Sequence, residues 1–377
     1  MADYYADNTN GDDTTGDGSS GNPWATIQKA VDNATGGDTI HLANTSAFVL
    51  SSSVNWTLFG ATSADAPLLI TSWDNGGSIT IDFPAIGGEA ATSRVAAEID
   101  GNDAVSSILS SSGAPLYVYL NGLQMHSTTG ALVGRLNGWT LNECEFWDSS
   151  GAAMVSGSGA GNVISCIFRD SGGSSVNGLS QGPGTVIDSY IFNVTGNGLD
   201  LISSYANCIN TVIDTYEESG IRIANKDYCL VDGNLIRNGT GSTSFGIAIS
   251  TTNTEHVVIR NNTITDNDGA SGGGISVDSS CGLALLGENH YYNNTTNESY
   301  SGNTPYIDLT AGNVSDSTTP FEDASNMDYR LKDSSNGYQS RRPHMGGTDI
   351  NPRNFGPINF ASGGGGGGTT SYVSVGG

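Results

Sequence analysis

The sequence predicts an all-β solenoid, a chain wound into stacked coils of short parallel strands. Three observations predict it: a strand-like repeat of 21 to 28 residues, a second repeat built on glycine, and a near absence of helix signals in a chain rich in Gly, Ser, Thr, Asn and Asp.

The first repeat is read from Val257-Val258-Ile259-Arg260-Asn261-Asn262-Thr263-Ile264. It sets an apolar residue, a small or polar one three later, and a bulky apolar one five later. Leu120/Leu123/Met125, Leu141/Cys144/Phe146, Val163/Cys166/Phe168 and Val186/Ser189/Ile191 fit it. So do Cys208/Thr211/Ile213, Val231/Asn234/Ile236, Ile259/Asn262/Ile264 and Leu286/Asn289/Tyr291. Successive first positions lie 21, 22, 23, 22, 23, 28 and 27 residues apart. In the second repeat, Gly198-Leu199-Asp200-Leu201, Gly220-Ile221-Arg222-Ile223, Gly246-Ile247-Ala248-Ile249 and Gly274-Ile275-Ser276-Val277 recur at 22, 26 and 28 residues. Glycine at each corner is expected to supply backbone angles that other residues resist, and the triplet after it reads as a strand with one buried face. Two ladders per coil, with rungs ~4.8 Å apart, describe a parallel β-helix. Like residues then stack on like. Cys144, Cys166, Ser189, Thr211, Asn234, Asn262 and Asn289 form one inward column, whose asparagines hydrogen-bond along the axis and satisfy buried turn backbone.

Residues 1–60 read as an N-terminal cap and first coil. Asn22-Pro23 opens a helix with proline at its first position, and Trp24, Ile27 and Val31 make its apolar face. Asp7, Asn10, Asp12 and Asp13 crowd one loop, where oxygen ligands suit calcium; the alternative is a solvated acidic turn. Residues 61–335 form the solenoid. From Phe48 to Pro115 the pattern is irregular, and Leu68–Ile70 and Ile79–Ile81 are read as strands of further coils. Tyr306–Leu309 supplies one more rung. Residues 336–362 close the C-terminal end, and 363–377 are a six-glycine linker with a terminal arm in which Tyr372 and Val373 have strand propensity. That arm either frays or adds a strand to a neighbouring subunit.

The segment Asn22–Val31 followed by Gly37–Leu42, together with Pro320–Asp323 and Asp328–Leu331, resembles the two ends of the right-handed parallel β-helix, pectate-lyase-like superfamily. That resemblance implies a right-handed coil, a short helix plugging its open end, and active carboxylates on the outer sheet faces of members that cleave glycans. The catalytic candidates on such faces are Asp200 with Arg222 and Asp232 with Arg260. Opposite charges on adjacent rungs equally suit cross-rung ion pairs without chemistry. Glu143 and Glu145, two apart on one strand, are a weaker carboxylate pair.

Net charge of −25 with only 13 basic residues argues against nucleic-acid and anionic-membrane partners, and against polyanionic glycans unless a metal bridges them. No run of 18 apolar residues spans a membrane, and Met1–Tyr5 carries no signal-peptide pattern. Five cysteines cannot all pair, and Cys144 and Cys166 share the inward column, so buried thiols are expected. Ile164, Ile167, Ile187, Tyr190, Ile209, Val212 and Leu235 fall at outward positions and form an apolar stripe of the kind that marks an interface, lateral or three-fold. Charge, stripe and arm resemble bacteriophage virion β-helices, a capsid decoration or tail-spike-like fibre that binds other virion proteins, its own subunits or host glycans, on the virion surface or outside the cell. The alternatives are a secreted polysaccharide lyase or glycoside hydrolase, and a cell-surface adhesion module.

Overall fold

The computed structural model describes residues 1–331, except 55–62, 64, 84–91, 111–116, 152, 172–178, 181–183, 202–203, 225–226, 251–255, 280, 302–305, 310–313 and 324–327. The closing segment 336–362, the glycine linker, Tyr372 and Val373 lie outside the described residues.

The chain is a parallel β-helix with three strand ladders per coil rather than the two read from the repeats. Sheet I holds Asp3–Ala6, Thr39–Ala43 and Leu68–Trp73 near one end and continues to Ala284–Gly287 and Tyr306–Leu309. Sheet II is an eleven-stranded ladder from Phe48–Val49 to Val314–Asp316. Sheet III carries the glycine repeat, as in Leu199–Leu201, Ser219–Ala224, Phe245–Ser250 and Gly273–Val277. Two ten-residue strands, Val133–Asn142 and Val155–Ile164, run through sheets III and I without a break.

The third ladder arises because the first repeat contains a bend. The residue before each inward column member takes left-handed backbone angles: Glu143, Ser165, Asp188, Asn210, Asn261 and Glu288 have φ between 50° and 58°, and Gly233 has 72°. One such residue turns the chain from sheet I into sheet II. Glu143 therefore sits in a turn and Glu145 on the next strand, so they are not two residues of one strand. Inside, the expected column holds. Cys144, Cys166, Ser189, Thr211, Asn234, Asn262 and Asn289 all have zero exposure. Asn234 donates to Asn262 Oδ1 at 2.9 Å and Asn262 donates to Asn289 Oδ1 at 3.0 Å, while the backbone N–H groups of Asn234 and Asn262 point at the same oxygens. Where the column holds smaller residues, the Ser189 and Thr211 hydroxyls donate back to the carbonyls of Ile187 and Ile209.

The glycine column serves a different purpose from the one its sequence suggests. Gly198, Gly220, Gly246 and Gly274 are not among the glycines with positive φ. A Cβ at Gly246 would lie 2.4 Å from Ile264 Cγ2 and 2.9 Å from the Gly274 carbonyl, so close packing, not backbone freedom, excludes a side chain.

At the N-terminal end the helix is Ile27–Asn33, shorter than expected. Thr26 caps it, accepting from Lys29 N at 3.2 Å, and is itself held by Asp13, so Pro23 and Trp24 lie ahead of the helix. Ile27, Ala30, Val31 and Trp24 still join the core and cover its end. Sheet I already begins upstream of this plug, at Asp3. The strand around Ile79–Ile81 is not a coil. Thr80–Phe83 pairs antiparallel with Thr92–Val95 as a hairpin outside the stack, and its Ile81 and Phe83 pack on Ile167, Tyr190 and Phe192. At the far end, Tyr306–Leu309 pairs with Ala284–Gly287 as the expected further rung, and Phe321–Asp323 and Asp328–Leu331 pair antiparallel.

Candidate functional site

A parallel ladder aligns the outward side chains of sheet II in two columns. One runs Glu98, Gln124, Glu145, Ile167, Tyr190, Val212 and Leu235. The other runs Asp100, His126, Trp147, Arg169, Phe192, Asp214 and Arg237. The second column sits six residues after each start of the first repeat. Reading that repeat one residue further therefore exposes a line of charged and aromatic side chains that the sequence reading passed over.

Three planar groups stack at its lower end. The His126 ring lies 4.2 Å from that of Trp147 with planes 13° apart, and the Arg169 guanidinium covers the same indole at 4.7 Å. Carboxylates surround them. His126 Nε2 is 2.9 Å from Glu98, its Nδ1 is 3.6 Å from Asp100, and Arg169 Nε is 2.6 Å from Glu145. Gln124 joins the acids, donating to Glu145 Oε2 at 2.7 Å. Glu145 is buried, while the Glu98 side chain keeps 27% of its surface. Arg169 also pairs with Asp170 at 2.8 Å. Burial alone would raise the Asp170 carboxyl, but bonds from Asn193 and Arg169 outweigh it and hold the group below its ordinary range. The hairpin borders this site, with Arg94 3.0 Å from Glu143 and the Thr80 carbonyl accepting from Gln124.

Further along the face, Thr215, Arg237, Asn238, Thr240, Asp266 and Asp268 line an open groove of about 630 Å³. Arg237 stands between two acids, 3.8 Å from Asp214 and 3.7 Å from Asp266. Asn238 and Asn293, both in left-handed turns, donate to Asp214 and Asp266 at 2.6 and 3.0 Å and fix the carboxylates.

The residues singled out from sequence lie elsewhere. Arg222 grips Asp200 with two bonds, 2.7 and 2.9 Å, on sheet III, where burial pushes the Asp200 carboxyl up against the pull of Arg222. Arg260 pairs with Asp232 at 2.9 Å on sheet I. The two pairs occupy different sheets and each neutralises itself. In the acidic loop, Asp7 is fully buried and accepts from Asn10, Thr45 and Asn75 at 2.9, 2.8 and 2.7 Å. Asp12 caps Thr14, and Asp13 holds Thr26. Asp7, Asp12 and Asp13 are thus engaged as turn and cap acceptors, with Asn10 donating to Asp7, and no group of three or more His, Cys, Asp or Glu among the described residues is placed to share a metal. Of the apolar stripe, Ile164, Ile187 and Ile209 are half-buried on sheet I, Ile167 and Tyr190 pack under the chain's own hairpin, and Val212 and Leu235 are buried.

The family described as "right handed beta helix region" matches residues 129–302. Among solved structures, a pectate lyase, Pel9A, superposes with a TM-score of 0.62 at 15% identity, covering 89% of this chain and 90% of the other. The chain is a right-handed parallel β-helix. This β-helix also superposes on a structure titled "Glycoside hydrolase", with a TM-score of 0.57 at 12% identity, covering 84% of this chain and 96% of that one. A complex of XylC with xylose gives 0.55 at 11% identity, covering 78% and 69%. Curated sequences return no match. No helix among the described residues of the β-helix is long and apolar enough to cross a membrane.

Proposed function

We propose that the protein is an extracellular polysaccharide-cleaving β-helix that lays a neutral glycan chain along the outer face of sheet II and hydrolyses it with Glu98 and Glu145. The carrying observation is the carboxylate-flanked stack of His126, Trp147 and Arg169. Glu98 and Glu145 lie two rungs apart on one column with Gln124 between them. Two rungs amount to about 10 Å between Cα atoms, next to the range of about 6.5–9.5 Å between carboxyl groups used for inverting glycoside hydrolysis. One carboxyl then protonates the departing oxygen while the other takes a proton from water. Trp147 offers an indole for a sugar ring, and Arg169 and Gln124 hold Glu145 in place. Neutral substrate is favoured because a net charge of −25 repels polyanions.

Support also comes from the fold. The structures of similar shape named above include proteins titled as a pectate lyase and a glycoside hydrolase. The expectation of a virion component has no such support, and the polysaccharide reading takes its place.

The test is incubation with xylan, mannan and β-glucan, and with polygalacturonate with and without calcium, followed by assays for new reducing ends and for unsaturated products. Reducing ends without unsaturation are expected from a neutral polymer, with Glu98→Gln and Glu145→Gln each slowing release by about 100-fold or more. Unsaturated products would replace hydrolysis by elimination. No cleavage of any polymer, or cleavage lost only in Asp200→Ala or Asp232→Ala, would overturn the assignment to sheet II.

A further inference from the structure

Where sheet III passes the chain to sheet I, Tyr205, Tyr228 and His256 occupy equivalent places on three successive rungs, each two residues before the paired positions Asn207, Leu230 and Val258. Their rings stack in line. The centroids of Tyr205 and Tyr228 are 5.0 Å apart and those of Tyr228 and His256 are 4.7 Å apart, with planes 6° apart in both pairs. The stack faces water: Tyr205 is 67% exposed and Tyr228 49%. Rings in contact at about 3.5–4.0 Å must slide sideways by about 3 Å to reach such centroid spacings. The three rings therefore form a staircase in which each step leaves part of its face open.

Self-stacking does not account for this arrangement. All three residues hold left-handed backbone angles, with φ of 64°, 60° and 57°, where large side chains are disfavoured. Three backbone penalties stand against two ring contacts. The equivalent turns between sheets I and II are filled instead by Ser, Asp, Asn, Glu and Gly, so the fold itself does not ask for aromatics at a corner. Strain of this kind, at exposed residues that add little to the core, points to use rather than to packing. A flat ring with a polar rim matches the C–H face of a pyranose, whose hydroxyls lie around its edge, and rings repeating rung by rung suit a polymer more than a single sugar.

We propose that Tyr205, Tyr228 and His256 form a second, non-catalytic platform that holds a neutral polysaccharide chain along the solenoid axis, a full sheet's width away from the sheet II site. The ligand class rests on the function proposed above; the location does not. A chain held there would raise the local concentration of its neighbours at the cleaving face.

The experiment is native electrophoresis of the intact protein through gels containing xylan, mannan, β-glucan or polygalacturonate. At least one neutral polymer should retard the wild type. Tyr205→Ala/Tyr228→Ala should lower that affinity about 10-fold while its circular dichroism and melting curve stay those of the wild type. Tyr205→Phe/Tyr228→Phe, which keeps the rings, should bind normally, and Trp147→Ala should keep most of the retardation. Normal retardation of the double alanine variant, or retardation of the wild type by no neutral polymer, would overturn the platform. Because cleavage is read separately by reducing ends, a platform that fails while Glu98→Gln still abolishes cleavage leaves the sheet II reading standing. Binding without cleavage does the reverse.

Discussion

Replacing Asn262 by alanine tests the interior column directly. Asn262 is fully buried, and its side chain makes four hydrogen bonds. Its oxygen accepts from the backbone N–H and side-chain amide of Asn234 at 3.0 and 2.9 Å, and its own amide donates to the Val231 carbonyl and Asn289 Oδ1 at 3.1 and 3.0 Å. Asn234 Nδ2 still reaches the Cys208 carbonyl, and Asn289 Oδ1 still accepts from Asn262 N, so each of these keeps a partner. The Asn234 backbone N–H loses its partner in a space sealed from water, while the Val231 carbonyl loses one bond and keeps its place in the ladder beside Arg260. At about 1–3 kcal/mol for a buried group stripped of its bond and about 1 kcal/mol for a bond lost by a group that keeps another partner, the loss centres on about 3 kcal/mol, a sizeable part of an ordinary domain's 5–15 kcal/mol. Urea unfolding followed by circular dichroism measures it, and amide exchange at Asn234, slow in the wild type, should accelerate. Asn262→Asp sets a second oxygen against two acceptors. It should be as damaging as alanine at neutral pH and milder in acid, where the carboxyl regains a donor. Arg260→Ala, at a half-exposed ion pair, is the control and should cost at most about 1 kcal/mol. If Asn262→Ala costs no more than that control, the ladder is decoration and the account of the core is wrong.

Three further outcomes are expected. Gly246→Ala should destabilise by about 1–3 kcal/mol through overpacking against Ile264 Cγ2 and the Gly274 carbonyl, and Ile264→Leu in the same chain, which removes that Cβ branch at similar volume, should recover part of the loss; an unchanged melting curve would remove close packing as the reason for the glycine column. All five cysteines are free and buried, and burial pushes the Cys208 thiol up to about 12, so a disulfide reagent should label none in the native protein and five after denaturation; rapid labelling of the native state would contradict it. In the N-terminal cap, burial alone would raise Asp7, but bonds from Asn10, Thr45 and Thr9 hold it below its ordinary value, and backbone donors from Thr14 and Thr15 lower Asp12. Carboxyls lowered by folding stabilise above the unfolded pKa of about 3.9 and lose that contribution as pH falls toward the folded values, so acid below about pH 4 should open the cap first. Asp7→Asn should flatten this dependence in amide exchange of residues 3–42, and an unaltered acid profile would count against it.

The repeat made much of this fold legible before any coordinates. A stacked coil places the same side chain at the same height once per turn, so Asn234, Asn262 and Asn289 announce themselves by spacing alone. The bend between sheets I and II was less visible. Its left-handed residue is Glu, Ser, Asp, Asn or Gly, a mixture without a signature, and two strands therefore read as one. The hairpin Thr80–Phe83/Thr92–Val95 was hidden for another reason: alternating apolar residues look the same whether a strand joins the stack or lies across it. The candidate site stood one position beyond the template, where residue types alternate between charged and aromatic rather than repeating.

By itself the sequence determined the winding, the inward columns and the ion pairs Asp200–Arg222 and Asp232–Arg260, because each follows from a period and a period is local information. Only the tertiary structure decided that His126, Trp147 and Arg169 stack among carboxylates from three separate rungs, that the hairpin covers Ile167 and Tyr190, and that the corner glycines are there to make room. Those outcomes depend on which surfaces meet across the coil, and contact between surfaces is settled by packing in three dimensions, not by spacing along the chain.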